Sequence, residues 1–436
     1  MQYHNHRETT LLENPIPLSP ILDKDIHCDF LIVWGGVAGL HSALELIKQW
    51  VDASSIVLVE KTICGGGMSG RSGWFLTPDS ELGLRALEKR FGDMVAKKIW
   101  DFGSKGEESI VNNVHNLKLH CDLRNQDSML LWVGMMGKDA CKEEDEGRKK
   151  FGFDSDFIKS SKDLKKYISW KNYTAGVRYE NSFGISAFQY CQWLKAHLIS
   201  LWVNIYEQTH IDTINDKTAL TDTNTISFKQ SFLCPGKVTK ELSASKSKLL
   251  YGVVNFICVS EPLSEEQIQE MMPNGELMCR DTKLVFNYYR LIEWNRIILG
   301  WGNPISSFLP WDVHYESSIL STIKDFKKTF PCLKELEFME YWSGRIQVSK
   351  DLMPIIDLCH IYDNQIRVLW CAGLPRAAAC GEFAVKRYFG NHDSDLEKVF
   401  CEKRKRFIPR FPTQKILKSI FFALSNAWSM FFQKGY

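Results

Sequence analysis

Several things are scarce in this chain of 436 residues. No apolar run reaches the roughly 18 residues that would read as a membrane-spanning helix, so none is expected. The first 20 residues are polar, carry Pro15, Pro17 and Pro20, and lack an apolar core, so no secretory leader is expected. Charge of one sign is not in excess: 54 Lys and Arg against 52 Asp and Glu leave a formal +2, and no basic stripe stands out, which argues against nucleic acid as a partner. The 13 cysteines are scattered singly without one C-x-x-C pair, and their odd number fits free thiols. A disulfide scaffold and a zinc site are therefore not expected, and a reducing, cytoplasmic compartment is. There is no internal repeat and no low-complexity tract. What remains is ordinary globular composition, 44% hydrophobic and 24% charged, with length for two domains.

Residues 28–74 carry the strongest local signal. Cys28–Val33 is a short apolar run rich in β-branched residues and predicts a buried strand. Leu40, Ala43, Leu44 and Ile47 recur on one face and predict a helix over Leu40–Trp50. Ile56–Val59 is a second apolar run and ends at Glu60. Strand, glycine turn, helix, strand and acid make a βαβ unit. Gly36 and Gly39 hold the second and third glycines of G-x-G-x-x-G, one admitting a pyrophosphate and the other letting helix and strand approach. The helix start offers free N–H groups and a positive dipole end, and Glu60 is placed to accept from a ribose. The first glycine position holds Trp34 instead. An ordinary βα turn is the plainer alternative. The glycine-rich loop over 65–74 exposes many N–H groups beside Arg71, and reads either as a connector or as a second cofactor contact.

Further on, helical spacing runs through residues 80–120 with Leu84, Leu87, Phe91, Val95 and Ile99, and residues 138–150 read as a solvated charged helix. A helix and then a strand at Val203–Glu207 are expected, followed by a strand pair at Thr225–Phe228 and Ser231–Cys234. Residues 250–302 turn to Val, Ile, Tyr and Phe, the composition of an antiparallel sheet, with one helical insert at 264–272. A helix over 316–330, a strand containing residues 339–346, and a late strand–glycine–helix at 365–390 complete the pattern. The tail places Ile416, Ile420, Phe421, Leu424, Trp428, Phe431 and Phe432 largely on one helix face with basic residues at both ends. It reads either as a helix packed on its own domain or a partner subunit, or as a peripheral membrane contact through 414–436.

Taken together, the stretches LIVWGGVAGL with VLVEK, GGGMSGRSGW, LVFNYYRL with NRIILGWG, and WSGRI with DLMPII, CAGL and GEFAV resemble the FAD-dependent amine and amino-acid oxidoreductases of the D-amino-acid oxidase and glycine oxidase superfamily, closest to the branch of γ-glutamylputrescine oxidoreductase. The resemblance implies an α/β fold: a Rossmann-like FAD-binding domain, discontinuous over 27–110, 184–245 and 346–410, and an antiparallel-sheet substrate domain over 111–183 and 246–345. Residues 1–26 would be a lead-in and 411–436 a C-terminal amphipathic helix. It implies that Gly35, Gly36 and Gly39, with Val37 and Ala38 between them, and Glu60 with Lys61 contact the adenosine and pyrophosphate. Ser69, Gly70, Arg71, Ser72 and Gly73 match the loop passing to the flavin, and Gly373, Leu374 and Pro375 match the turn against the isoalloxazine. Arg345 matches an arginine near the flavin that in relatives binds a substrate carboxylate, for which a planar fork is suited. Tyr288 and Tyr289 match pocket aromatics, although alternation in a strand lets only one face the pocket.

The implied reaction oxidises the C–N bond of a small amine or amino acid by hydride transfer to flavin, with oxygen or a quinone as electron acceptor. Trp34, Trp74 and Trp301 stand where the family carries glycine, and Arg376 stands close to the flavin turn. Glycine and tryptophan codons differ by one base, so altered sequence and a member that has lost its cofactor are both open. The alternatives in function are a non-catalytic scaffold of the same fold and, more weakly, a nicotinamide-dependent dehydrogenase.

Overall fold

The computed structural model describes residues 2–3, 15–78, 82–133, 137–170, 173–236, 250–282, 287–303, 316–349, 351–358, 364–369, 371 and 373–404. The expected C-terminal amphipathic helix, with its membrane contact, lies outside the described residues. In chain order, β1 (Ile26–Val33), α1 (Val37–Lys48) and β2 (Ile56–Val59) form the predicted βαβ unit. Then come α2 (Leu84–Phe91), α3 (Asp93–Leu117), β3 (Asp127–Val133), α4 (Gly137–Lys150) and β4 (Tyr173–Tyr179). They are followed by α5 (Ala187–Ser200), β5 (Asn204–Tyr206) and β6 (Thr225–Leu233). The second half holds β7 (Leu250–Pro262), α6 (Glu265–Met271), β8 (Leu277–Asp281), β9 (Asn287–Ile292) and β10 (Arg296–Asn303). It closes with α7 (Glu316–Thr329), β11 (Phe338–Ser349), β12 (Ile355–Leu358), β13 (Gln365–Leu369) and α8 (Leu374–Tyr388).

Two large sheets result. The first has the order β5-β2-β1-β6, with β13 also on β6, and these pairings are parallel. Leu31 stands opposite Val57, Val33 opposite Val59, and Phe232 opposite Ile366. Strands buried on both faces explain the unbroken apolar runs. Small residues let the helices close over this sheet: a Cβ on Gly381 of α8 would strike the Ala38 carbonyl of α1, and one on Gly106 of α3 would strike that of Pro375. The second sheet runs β11-β7-β10-β9-β8-β3-β4. Its strands between 250 and 303 pair antiparallel, but β8 lies parallel to β3, and so the sheet is mixed.

Three sequence expectations change. Thr225–Leu233 is one continuous strand, not a pair: Lys229 projects from it to Asp29 (2.8 Å) and Gln230 is buried, so the polar dipeptide is no turn. The helical region from 80 to 120 is broken at Gly92, whose φ of 78° caps α2 and starts α3. In α4, Asp145 and Arg148 are buried, Arg148 lying 4.0 Å from the Tyr179 ring centre, so this helix is not wholly solvated.

Candidate cofactor and active site

At the C-terminal end of β1 the chain turns through Trp34, Gly35 and Gly36 into α1. Trp34 N–H donates to Val59 O (2.8 Å) and Gly35 N–H to Glu60 Oε2 (2.9 Å). The second Glu60 oxygen accepts from Thr62 N–H (2.9 Å) and Thr62 Oγ1 (3.2 Å). Burial pushes the Glu60 carboxyl up, and the backbone donors of Thr62 and Gly35 oppose that shift. A Cβ on Gly39 would strike the Trp34 carbonyl, so this glycine is required by the close approach of helix to turn. The N-cap of α1 is Gly36, without a capping side chain, and Val37 N–H donates to Ser69 Oγ (3.1 Å). Lys61 is exposed beside these groups, and Ala38 faces Gly381.

The glycine loop folds back on this turn. Gly65 N–H donates to Gly35 O (2.9 Å) and Gly70 N–H to Gly65 O (2.9 Å). Ser72 Oγ donates to Ser69 O (3.1 Å), and the Trp74 indole donates to Gly70 O (2.8 Å). Arg71 reaches across to the second sheet, where its Nη1 donates to Ser343 O (3.2 Å), and the Trp342 indole returns a bond to Arg71 O (3.3 Å). The loop thus ties the two sheets together next to β11.

Glu207, which sequence reasoning did not single out, fixes the loop from behind. This buried carboxylate accepts from Cys64 N–H (2.7 Å), from Ser19 N–H of the lead-in (2.7 Å) and from Lys195 Nζ (3.0 Å). An acid following a parallel strand, as Glu60 does, was its only sequence signal.

Arg345 stands on β11 opposite Val254, next to Gly344 and Ser343; its side chain is outside the described part. A Cβ on Gly344 would meet nothing within 4 Å. Tyr288 and Tyr289 face opposite sides of β9. The Tyr288 ring lies against Gly73 and Gly300 and meets Phe75 edge-on (5.8 Å). Tyr289 is fully buried among Trp170, Phe326 and Phe330. It is a core residue, which corrects its place in the expected catalytic set. The late turn places Gly373, with φ 83°, as the N-cap of α8, again without a capping side chain and with nothing among the described residues within 4 Å of a Cβ. Leu374 and Pro375 start that helix and are buried. Two helices therefore present uncapped N-termini at the C-terminal ends of parallel strands.

The sequence profile of the family described as FAD dependent oxidoreductase (DAO) matches residues 29–386. The chain belongs to that family. It is 24% identical over 344 residues to a probable oxidoreductase, OrdL, of Haemophilus influenzae, covering 77% of each chain. To γ-glutamylputrescine oxidoreductase of Escherichia coli it is 25% identical over 354 residues, covering 76% of this chain and 77% of the relative. Among solved structures, glycine oxidase of Geobacillus kaustophilus superposes with a TM-score of 0.72 at 14% identity, covering 87% of this chain and 99% of the other. L-Amino acid deaminase of Proteus vulgaris gives 0.71 at 13% identity, covering 91% and 99%.

FAD is this family's cofactor, and the residues present fit it: two uncapped helix starts for an anionic and polar group, open space at Gly373, and an acid at the tip of β2. An open groove of about 540 Å³, lined by Lys48, Lys105, Ser109, Glu382 and Lys386, lies outside this site. Among the described residues no helix is long and apolar enough to cross a membrane, and no cluster suited to a metal is found.

Proposed function

We propose that this FAD-dependent oxidoreductase oxidises the C–N bond of a small amine or amino acid. The carrying observation is the pair of helix starts without an N-cap side chain, α1 and α8, reached through glycine turns from β1 and β13, the two strands that flank β6 in one parallel sheet. When bound, FAD supplies the hydride acceptor. Gly35, Gly36, Val37, Ala38 and Gly39 would line the pyrophosphate side of this turn, with the Gly35 N–H held by Glu60 and the Val37 N–H by Ser69, and Glu60, with Lys61 beside it, would face the ribose. Ser69, Gly70, Arg71, Ser72 and Gly73 would line the path to the flavin. Gly373, Leu374 and Pro375 would lie against the ring, where a Cβ finds open space. Arg345 would hold a substrate carboxylate through two parallel hydrogen bonds, and Tyr288 would wall the pocket. Holding the reacting carbon against the ring and excluding water is the protein's part, so no strong side-chain acid is required. Oxygen or a quinone would reoxidise the flavin, in the cytoplasm or at a membrane surface touched by 414–436.

The test is anaerobic addition of a panel of small amines and amino acids to the FAD-loaded protein, followed by admission of oxygen or a soluble quinone. Bleaching of the flavin by at least one amine supports the reading. A loaded flavin that a hydroxy acid reduces and no amine does would overturn it. A second reading, a scaffold that binds no cofactor, is favoured by the backbone at Trp34 and Trp74, with φ of 82° and 62°. Failure of the Trp34→Gly, Trp74→Gly protein to bind FAD would favour it.

A further inference from the structure

Five of the eleven non-glycine residues with positive φ among those described are tryptophan: Trp34 (82°), Trp50 (65°), Trp74 (62°), Trp202 (76°) and Trp294 (58°). Asn and Asp visit this region with little penalty, whereas a bulky aromatic there is an outlier at the cost of backbone strain. One such residue would be a local feature. Five of a single type, in unconnected parts of the fold, call for one cause.

Each of the five occupies a position whose task belongs to glycine. Trp50 follows α1, where its N–H donates to Ile47 O (2.9 Å) and that of Val51 to Leu46 O (3.1 Å). Trp202 follows α5 with the same pair of bonds, to Ile199 O (2.9 Å) and from Val203 to Leu198 O (3.1 Å). This is the helix-ending motif whose left-handed residue is usually glycine. Trp294 (φ 58°, ψ 33°) and Asn295 (φ 55°) form the tight turn between β9 and β10, in which both central residues are left-handed. Trp34 and Trp74 stand in the two turns of the cofactor site.

At three of the five positions the indole does not explain the choice; Trp34 is half-buried and Trp74 is buried with its indole bonded to Gly70 O, so these two join the set on their backbone alone. Trp50, Trp202 and Trp294 are 95%, 79% and 62% exposed, whereas a tryptophan kept for its side chain is normally buried. Trp100, Trp193 and Trp342 behave in that ordinary way: they lie on helix or strand backbone, and Trp100 and Trp342 are buried. The tryptophans thus fall into two populations, one placed by its side chain and one by a backbone that only glycine adopts freely. Trp301, flanked by Gly300 and Gly302, has regular strand pairing with Phe256 and Asn287, and so its backbone does not assign it to the second population.

We infer that positions 34, 50, 74, 202 and 294 are glycine in the protein as its own cells make it, their codon being UGA read as glycine, with UGG kept for tryptophans on ordinary helix and strand backbone such as Trp100, Trp193 and Trp342. UGA differs from the glycine codon GGA in its first base alone, so one reassigned triplet supplies all five at once. Independent substitution would have to strike five separate glycines, three of them outside the cofactor turns, whereas among the described residues no other residue type supplies more than two of the left-handed non-glycine positions. The inference is independent of the redox reading, because Trp50, Trp202 and Trp294 lie outside the cofactor site. For that site it means an intact G-x-G-x-x-G turn at 34–39 and a glycine after Gly73.

The test is peptide mass spectrometry of the protein isolated from its source cells, set against the codons of its gene. Glycine at all five positions, each encoded by UGA, with tryptophan at Trp100, Trp193 and Trp342 encoded by UGG, is the expected result. Tryptophan in the isolated protein at the five positions overturns it. A recombinant comparison reads the same inference physically. Trp50→Gly with Trp202→Gly should raise Tm and leave the Kd for FAD unchanged, whereas Trp34→Gly with Trp74→Gly should tighten FAD by about tenfold or more. A fall in Tm for the first pair, or unchanged FAD affinity for the second, contradicts it.

Discussion

The turn after β1 and the turn after β13 do the same work with different residues. Each leaves the C-terminal end of a parallel strand and delivers an uncapped helix start, and each passes through φ near 80°, at Trp34 (82°) in the first and Gly373 (83°) in the second. At Gly373 the backbone is free of strain and nothing among the described residues stands within 4 Å of a Cβ. At Trp34 the same φ carries a penalty of about 1–2 kcal/mol, and the indole packs beside the apolar face of β1 and β2 that α1 does not cover. The fold dictates the turn; the residue filling it is a separate matter. The two turns are also coupled behind the sheet, where His41 of α1 donates to Glu382 of α8 (3.0 Å), Ser109 donates to the same carboxylate, and Tyr190 OH lies 2.8 Å from His41 Nε2.

The largest expected effect comes from breaking the first turn. Gly39→Val forces a side chain into the Trp34 carbonyl and should cost about 3 kcal/mol or more, read as a fall in the denaturant midpoint at unchanged m-value. Gly373→Val makes the contrast: its strain of about 1–3 kcal/mol falls where no atom of the described residues is displaced, so weakened FAD binding should accompany any loss of stability.

Acid should loosen the tie between the two helices. His41, Ser109 and Lys386 overcome the burial penalty and hold Glu382 down at about 2 against an ordinary 4.5. Between those values the unfolded chain binds the extra proton, so stability is fully present above about 4.5 and is lost as pH falls toward about 2. The total is on the order of 3 kcal/mol. Urea unfolding at several acid pH values should show that slope in the unaltered chain and a shallower one in Glu382→Gln.

Trp34→Gly sharpens the comparison by making the two turns alike, and should gain about 1–2 kcal/mol. The smallest effect is expected at Trp50→Gly, about 1 kcal/mol in thermal unfolding, because the side chain removed is almost wholly exposed.

Much of the first sheet was legible because strand period, glycine turn and acid all agree within residues 28–60. The break at Gly92 was not, since apolar spacing continues across it and only the backbone reveals φ 78°. Lys229 and Gln230 hid a continuous strand, because a polar pair inside an apolar run looks like a turn until one side chain is seen paired and the other buried. Alternation limited Tyr288 and Tyr289 to one pocket residue, but which of them it was depended on Gly73 and Gly300 lying against the same ring. Glu207 was out of reach: its partners Ser19, Cys64 and Lys195 are distant in sequence, except for Lys195. The left-handed tryptophans at 50 and 202 had a signal that was passed over, namely a helix ending where glycine is expected.

The most direct measurement is the visible spectrum of the protein after incubation with excess FAD and dialysis, for the chain with tryptophan at 34 and 74 and for the chain with glycine at both. The account predicts a retained flavin spectrum, stronger in the glycine chain and bleached by an amine under anaerobic conditions. Colourless protein from both chains would contradict it.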